Sequence, residues 1–398
     1  MHDPADSDRS VVFSRQELQA RLAQVRVAMQ EAGIELLVLS DPCNIYYLTG
    51  YDAWSFYTPQ VLLVGGDGDP VWFGRQMDTT GAALTTWLPD GHIVGYPDHL
   101  VQNPPEHPFT MLAEQIRARG GARARIGVEK ANYYLGVQAF EVLSAGLPDA
   151  TWADASLLVN WVRFIKSPAE IALLREAGHL LSLSMAAGVE ALRPGVHERE
   201  AVARIYASQI AGTASFGGLY TSSPAFFMSG ERTATPHLPW RDRVLAAGTP
   251  VNLELMGNRL RYQVTQGRSV YLGKPPAPLR QLEHILLEAI DEVLAFIRPG
   301  VRCGEVAGLL RRVLARHGID KHSRCGYSQG IAYPPTGGEM TASFREGDET
   351  VLQAGAVMHF LPALWQDQHS IMISEPVVVT ASGCECLCTT PRQLFVRD

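Results

Sequence analysis

Apolar positions in the first part of the chain alternate between helical and strand-like spacing. Residues 14–33 carry apolar side chains at helical spacing, with Ser14 placed as N-cap, Glu17 three residues later and Gly33 at the end. Short continuous apolar runs, typical of strands buried in a sheet, follow this helix. They lie at 35–40, 60–64 and 125–129, with a further helix predicted at 108–119. This alternation predicts an α/β domain with a largely covered sheet.

The pattern changes before the middle of the chain. The segment 160–171 begins a new helix, with Ser167 placed as N-cap and Pro168 at the first helical position. We therefore predict two domains, at 1–162 and 163–398. Each is long enough to bury a core of its own.

The C-terminal domain contains a faint internal repeat. An Arg-Pro-Gly-Val sequence at 193–196 ends one long helical pattern and leads into a helix predicted at 197–212. The same four residue types at 298–301 lead into a helix predicted at 303–318. Strand-like segments follow each copy, which favours a duplicated unit over a chance match. Duplicated units pack with approximate twofold symmetry, and a site forms where their sheets meet.

Composition and charge narrow the classes of function. Charged residues make up 19% of the 398 residues and hydrophobic ones 46%, which is ordinary for a soluble protein. The net charge is −7 without a Lys/Arg-rich run, so we expect neither nucleic acid nor a membrane as partner. The acidic start, 1–6, lacks the apolar core of a secretion signal, and no apolar stretch is long enough to span a bilayer. These features predict a cytoplasmic protein.

Three of the six cysteines lie close together, at Cys384, Cys386 and Cys388. Alternate residues on a strand share a face, so these thiols could share a metal ion. Structural zinc sites, however, use a two-residue gap and a second ligand pair, and neither occurs here. We interpret the three cysteines as small buried thiols on a strand.

A carboxylate, a hydroxyl and a histidine have a characteristic spacing in the C-terminal domain. Glu254 ends the strand-like run 251–254, Thr265 follows eleven residues later on the predicted paired strand, and His237 lies seventeen residues before Glu254. With the segment 163–171, this spacing resembles the catalytic half of the creatinase/prolidase/aminopeptidase P family. The resemblance implies an α+β pita-bread domain with a pseudo-twofold repeat, preceded by an α/β creatinase-type domain.

Metal-dependent members of that family bind two metal ions through two aspartates, one histidine and two glutamates. The resemblance places these positions, in order, on Glu254, Thr265, Tyr327, Leu361 and Glu375. Only two carboxylates remain, and a two-metal site needs anionic ligands to offset about four positive charges at short range. We therefore expect no catalytic metal and no other cofactor. Two unpaired acids in a closed cleft are tolerable if the ligand is cationic.

A protonated amidine or guanidine is such a ligand, since it brings its own positive charge and an electron-poor central carbon. Several segments resemble the ectoine hydrolases, a group in this family that opens a cyclic amidine to an acetylated diaminobutyrate. These segments are 50–57, 95–99, 326–328, 333–335, 359–360 and 391–394. The segment 263–267, in the presumed pocket, departs from that group. The leading hypothesis is a metal-independent hydrolase of a C–N bond in a cyclic amidine, with a small cationic or zwitterionic substrate.

The resemblance implies a role for each candidate residue. Glu254 would attack the amidine carbon or activate water, and Glu375 would pair with the amidinium N–H groups. His237 would pass a proton to the departing ring nitrogen, and His359 is a second candidate for proton transfer. The candidate substrate-binding residues are Trp54, Phe56, Thr265, Tyr327, His359 and Arg268.

Further expectations concern the surroundings of the site and the alternatives. Trp54 and Phe56 belong to the domain that in this family often reaches a neighbouring protomer's site, which implies a homodimer. The substrate's carboxylate needs a cation, for which Arg232, Arg268 and Arg392 are equal candidates. The other open functions are hydrolysis of a linear guanidino compound, as in creatinase, and non-catalytic binding of a cationic solute. A metal-dependent proline-specific peptidase is opposed by the missing ligands.

Overall fold

The structure, a computed structural model, describes residues 12–365 and 369–398. The chain divides into two compact units, Met1–Arg163 and Phe164–Asp398, so the division lies one residue beyond the predicted boundary. The acidic segment 1–6 lies outside the described residues. Within the described part of the chain, no helix has both the length and the apolar character needed to cross a membrane.

The N-terminal unit is built on a six-stranded mixed sheet. Its α-helices are α1 (Arg15–Glu31), α2 (Pro42–Thr49), α3 (Thr79–Thr85), α4 (Phe109–Ala118), α5 (Val137–Gly146) and α6 (Leu158–Val162). Its strands are β1 (Leu36–Leu39), β2 (Val61–Gly65), β3 (Val71–Arg75), β4 (Ile93–Tyr96), β5 (Arg125–Val128) and β6 (Thr151–Asp154). They are ordered β4-β3-β2-β1-β5-β6, with β2 antiparallel to both neighbours and the other pairs parallel. The predicted α/β class is confirmed.

Helix capping and amphipathic spacing explain where these helices form. Ser14 caps α1 as predicted, because its hydroxyl accepts a hydrogen bond from the backbone N–H of Glu17 at 3.2 Å. In α4 the buried Phe109, Leu112 and Ile116 recur at helical spacing and pack into the core beside the sheet. Each such side chain contributes about 1.5–3 kcal/mol when fully buried.

Residues 164–365 and 369–398 of the C-terminal unit form two four-stranded sheets and four α-helices. The helices are α7 (Pro168–Ala191), α8 (Glu198–Ala211), α9 (Ala277–Phe296) and α10 (Cys303–Arg316). One sheet has the order β16-β9-β8-β7, from β7 (Phe226–Ser229), β8 (Pro250–Arg259), β9 (Tyr262–Leu272) and β16 (Phe395–Arg397). The other has the order β10-β11-β14-β15, from β10 (Gly326–Ser328), β11 (Val357–Phe360), β14 (Glu375–Val379) and β15 (Cys384–Cys386). A short pair, β12 (Leu364–Trp365) and β13 (Ser370–Ile371), lies apart from both.

The two halves of this unit share one order of elements, as the repeat predicts. In each half a long helix leads through a Pro-Gly turn into a shorter helix, and strands follow. Gly195 and Gly300 occupy equivalent places in the two turns, with φ of 90° and 89°. Glycine adopts this left-handed conformation without the steric cost that other residues meet. The first helix starts at the predicted residue because Ser167 and Glu170 form a capping box.

Strand β8 continues past Glu254, so the prediction that the run ends there is wrong. The reason lies at Gly257, where a Cβ would stand 2.1 Å from the carbonyl oxygen of Ala177 in α7. Glycine lets the helix backbone pack directly on the strand, and pairing with the next strand continues to Arg259, which lies opposite Tyr262.

The three clustered cysteines are free thiols. Cys388 is buried, whereas Cys384 and Cys386 on β15 are only half-buried. Burial raises the pKa of the Cys386 thiol to about 12, so this sulfur stays protonated near neutral pH.

Candidate active site

A cavity of about 310 Å³ in the C-terminal unit is lined by both of its halves. The first half contributes Phe226, His237, Glu254 and Thr265, and the second contributes Arg324 and Tyr327. Four residues predicted for the site from sequence thus face one cavity. A volume near the lower end of the range for ligand pockets suits a small molecule.

Strand register explains why Glu254 points into this cavity. On β8, Glu254 and Met256 are alternate residues and therefore share a face of the sheet. On the antiparallel neighbour β9, Thr265 lies opposite Met256, and Gly267 lies opposite Glu254. A Cβ on Gly267 would stand 2.4 Å from Met372, so no larger residue fits beside the carboxylate without displacing that side chain.

The Glu254 carboxylate lacks a protein partner. The residue is 3% exposed, and within 12–365 and 369–398 no group hydrogen-bonds or forms an ion pair with its side chain. Burial raises the pKa of Glu254 to about 7. The shift corresponds to a cost on the order of 3 kcal/mol for ionising this group in the folded protein. A cation in the cavity would remove much of that cost.

Charges of both signs act on Tyr327. The Arg324 guanidinium stacks over its ring, 4.7 Å from the centroid, and His359 meets the same ring edge-on at 5.3 Å. Burial and the Glu254 charge raise the pKa of the Tyr327 phenol, while the Arg324 charge opposes the rise. The phenol is therefore neutral near pH 7.

Thr265 is held by a single amide side chain. Gln329 donates from Nε2 to Thr265 Oγ1 at 2.7 Å, and its Oε1 accepts from the Thr265 backbone N–H at 3.1 Å. Gln329 follows β10, so this pair of bonds ties the site strand of the first half to the second half.

Glu375 is paired within the protein, so the expectation of a second unpaired acid is wrong. Its Oε1 lies 2.5 Å from Nη2 of Arg268, and Gln266 donates to Oε2 at 3.1 Å. Arg268 and Glu375 are 0% and 2% exposed, and neither is among the described residues that line the cavity. Burial raises the pKa of Glu375, against the lowering influence of Arg268.

The two candidate histidines have different surroundings. His359 is fully buried behind Tyr327, with Nε2 2.8 Å from Ser374 Oγ, and burial lowers the pKa of its imidazole to about 3. A neutral, enclosed imidazole is poorly suited to shuttle protons with solvent. His237 lies in the loop before β8, faces the cavity and packs 5.2 Å from the Phe226 ring. Its φ of 68° is a conformation that few residues other than glycine adopt.

Trp54 and Phe56 belong to the N-terminal unit. Their ring centroids are 4.7 Å apart, Phe56 packs 5.9 Å from Tyr134, and Trp54 is 56% exposed. Their expected part in substrate binding stays a prediction.

Arg324 is the site residue that sequence reasoning missed. Of the three arginines considered instead, Arg268 is bound to Glu375, Arg392 pairs with Asp291 at the surface, and Arg232 is not among the described residues around the cavity. Arg324 lies three residues before Tyr327, where the resemblance places a metal-ligand histidine. Its closeness in sequence to the Tyr327 position is the feature from which a place in the site could have been predicted.

The positions that bind metal ions in metal-dependent relatives carry poor donors here. Thr265 Oγ1 already accepts a hydrogen bond, Glu375 is held in an ion pair, Leu361 has no donor atom and the Tyr327 phenol is neutral. Only Glu254 offers a free carboxylate. In the described ranges, no three His, Cys, Asp or Glu side chains are grouped so as to hold a metal ion. These residues do not fit a pair of divalent cations.

Comparison with known proteins places this fold and site in a family. The model of metallopeptidase family M24 matches residues 172–381, and that of the creatinase/prolidase N-terminal domain matches 21–165. The chain belongs to the M24 family and has its creatinase-type N-terminal domain. These matches confirm the family and the fold class expected from the sequence.

Among individual proteins, the ectoine hydrolase of Halomonas elongata is 42% identical over 395 residues, covering 98% of this chain and 99% of that enzyme. An uncharacterized hydrolase/peptidase of Sinorhizobium fredii is 44% identical over 391 residues, covering 98% and 100%. These relatives confirm that the chain is a hydrolase.

Solved structures share the fold at lower identity. The dipeptidase of Mycobacterium ulcerans has a TM-score of 0.81 at 24% identity, covering 96% of this chain and 99% of that chain. The Xaa-Pro dipeptidase of Bacillus anthracis has a TM-score of 0.80 at 22% identity, covering 95% and 99%.

Proposed function

We propose that this protein hydrolyses a C–N bond of a cyclic amidine, with ectoine as substrate, without a catalytic metal. The observation that carries the proposal is the buried, unpaired Glu254 carboxylate in the cavity. The other positions that bind metal ions in metal-dependent relatives carry poor donors here. The similarity to ectoine hydrolase over nearly the whole chain supports the choice of substrate.

The charge of the substrate replaces the charge of the metals. An amidinium ring is planar and cationic, and its central carbon is open to attack without a Lewis acid. Docked against Glu254, it offsets the cost of burying that carboxylate and lowers the pKa of the acid below its value of about 7 in the free protein. Glu254 is therefore ionised in the complex at neutral pH.

Ionised Glu254 has two routes to the same products. It either takes a proton from a water molecule whose oxygen bonds to the amidinium carbon, or bonds to that carbon itself and is released by water in a second step. In both routes one water is consumed, a C–O bond forms and one ring C–N bond breaks. The electron pair of the broken bond remains on the departing nitrogen.

His237 is the proposed proton donor to that nitrogen. It faces the cavity from the connection between β7 and β8 and packs against the Phe226 ring. Protonation prevents the amine from re-closing the ring, and the products are an amide and an ammonium group. Glu375 is not assigned a role in this step, since Arg268 occupies its carboxylate.

We also propose that the protein forms the homodimer that the family resemblance implies. Light scattering after size-exclusion chromatography tests this, with the mass of two chains as the expected result. A cytoplasmic location stays a prediction.

The decisive experiment uses protein freed of metal by a chelator and dialysis. This protein is incubated with ectoine and, separately, with creatine, and products are identified by mass spectrometry. We expect the ring-opened water adduct from ectoine alone, at a rate unchanged by added Zn²⁺ or Mn²⁺. Glu254→Gln should give no product. Activity that is lost with the metal and restored by it would refute the proposal, and turnover of creatine alone would favour the guanidino alternative.

A further inference from the structure

Arg324 is an exposed cationic side chain, unlike the buried Arg268 and Lys166 of the C-terminal unit. Arg268 is neutralised by Glu375, and Lys166 by Glu339, in ion pairs with almost no exposure. Arg324 lines the cavity, and among the described residues no acid lies within ion-pair distance of its guanidinium. Its charge is therefore available to a ligand.

Contact with Tyr327 holds this charge beside the cavity, since the guanidinium carbon lies over the ring, 4.7 Å from its centroid. The N–H donors lie along the edge of the guanidinium plane, and none of them has a hydrogen-bond partner among the described residues. A carboxylate binds such an edge through two parallel hydrogen bonds. Gly338, in the loop that follows β10, leaves room for the Tyr327 ring, because a Cβ on Gly338 would stand 3.1 Å from that ring.

The two unpaired charges of the cavity have opposite sign and come from different halves of the unit. Glu254 lies on β8, whereas Arg324 precedes β10. Both act on the phenol of Tyr327, which therefore lies within electrostatic reach of each. The two groups do not pair with one another. A ligand that carries a cation and a carboxylate would match both charges at once.

We propose that Arg324 is the receptor for a carboxylate on the substrate ring and sets its specificity, a role that rests on the proposed function. The substrate class is then a zwitterionic cyclic amidine. The amidinium faces Glu254, and the acid group faces Arg324. A cyclic amidine without the acid would leave Arg324 unmatched and bind less well.

The test compares ectoine with 2-methyl-1,4,5,6-tetrahydropyrimidine, which has the same ring without the carboxylate. We measure kcat/KM for both compounds in wild type, Arg324→Gln and Arg324→Lys. Arg316→Gln is the matched control, since Arg316 is an exposed arginine of the same half that is bound to Glu292. Circular dichroism and thermal unfolding verify that each variant folds.

We expect Arg324→Gln to lower kcat/KM for ectoine by about 10- to 100-fold, the range for hydrogen bonds to a charged group. The value for the compound without the acid should change less than about 3-fold, and Arg324→Lys should recover part of the loss because it keeps the charge. Arg316→Gln should behave like wild type. Equal losses on both compounds, or a wild type without preference, would overturn the proposal.

Calorimetric binding separates this inference from the reaction itself. If wild type turns over neither compound, the proposed function fails. The carboxylate-binding role of Arg324 would then still be supported if wild type binds ectoine more tightly than the ring without the acid. This difference in affinity should be lost in Arg324→Gln. Equal affinities, or binding of neither compound, would overturn it.

Discussion

Arg268 and Glu375 form a buried ion pair that joins the two sheets of the C-terminal unit. Arg268 lies on β9 and Glu375 begins β14, with 2.5 Å between Nη2 and Oε1. The same guanidinium donates to the carbonyls of Ser374, Thr390 and Pro391. An acid that sequence alone suggests for substrate binding thus belongs to the framework of the site.

This pairing predicts a stability effect. Glu375→Gln would leave the Arg268 charge buried without its counter-ion, which costs about 3–5 kcal/mol in comparable cases. Urea unfolding measures the loss. The matched control is Glu385→Gln, whose partner Arg175 is exposed, and we expect about 1 kcal/mol or less there. Equal effects at the two sites would contradict the structural role of the buried pair.

Glu254 predicts a pH dependence of stability in the ligand-free protein. Its pKa rises from 4.5 in the unfolded chain to about 7 on folding. Below pH 4.5 the acid is protonated in both states and costs nothing. Between pH 4.5 and about 7 this acid ionises in the unfolded chain but remains mostly protonated in the folded protein. The unfolding free energy therefore falls over this interval, by about 3 kcal/mol in total.

Unfolding of wild type and Glu254→Gln across pH 4 to 9 isolates this contribution, since glutamine does not titrate. Wild type should lose stability relative to the variant as pH increases. If the difference in unfolding free energy between the two proteins does not change with pH, burial does not raise the pKa of Glu254.

The same group predicts an acid limb in the activity profile. Only ionised Glu254 can accept a proton or attack, so kcat/KM for ectoine should fall tenfold per pH unit below about pH 7. Thr265→Asp adds a second acid that lines the cavity, which should raise the pKa of Glu254 and move this limb to higher pH. An unmoved limb in that variant would assign the titration to another group.

His237 predicts a loss in the chemical step with the backbone preserved. Asparagine tolerates the left-handed conformation found at this position, so His237→Asn removes the imidazole without forcing the loop to change. We expect kcat to fall by about 10²- to 10⁴-fold, the usual contribution of a general acid. His284→Asn on the exposed face of α9 is the control, and its kcat should be unchanged. A loss below tenfold at His237 would exclude it as the proton donor.

Local signals explain what the sequence could predict. Ser14 and Ser167 mark helix starts because a cap is a contact between residues three apart. The two Pro-Gly turns mark the repeat, and the spacing from Glu254 to Thr265 matches an antiparallel pair of strands. Each of these features depends on neighbours in the chain or on a single hairpin.

The remaining features depend on how distant segments meet. Whether Glu375 faces the cavity or Arg268 is decided by how β14 lies beside β9, across a separation of 107 residues. Arg324 lies outside any apolar pattern, and its value to the site comes from Tyr327 and the open cavity beside it. Contacts of this kind leave no local pattern in the sequence, so the sequence analysis did not include Arg324 among the candidate arginines.

The two copies of the repeat in the C-terminal unit contribute different charged groups to the site. One copy holds Glu254, which we propose as the reacting acid, and the other holds Arg324, three residues before Tyr327. Mutation of the second copy can therefore change which acidic group is accepted without disturbing the reacting centre. Libraries confined to residues 324–343 would be the economical route to variants that open new amidine rings.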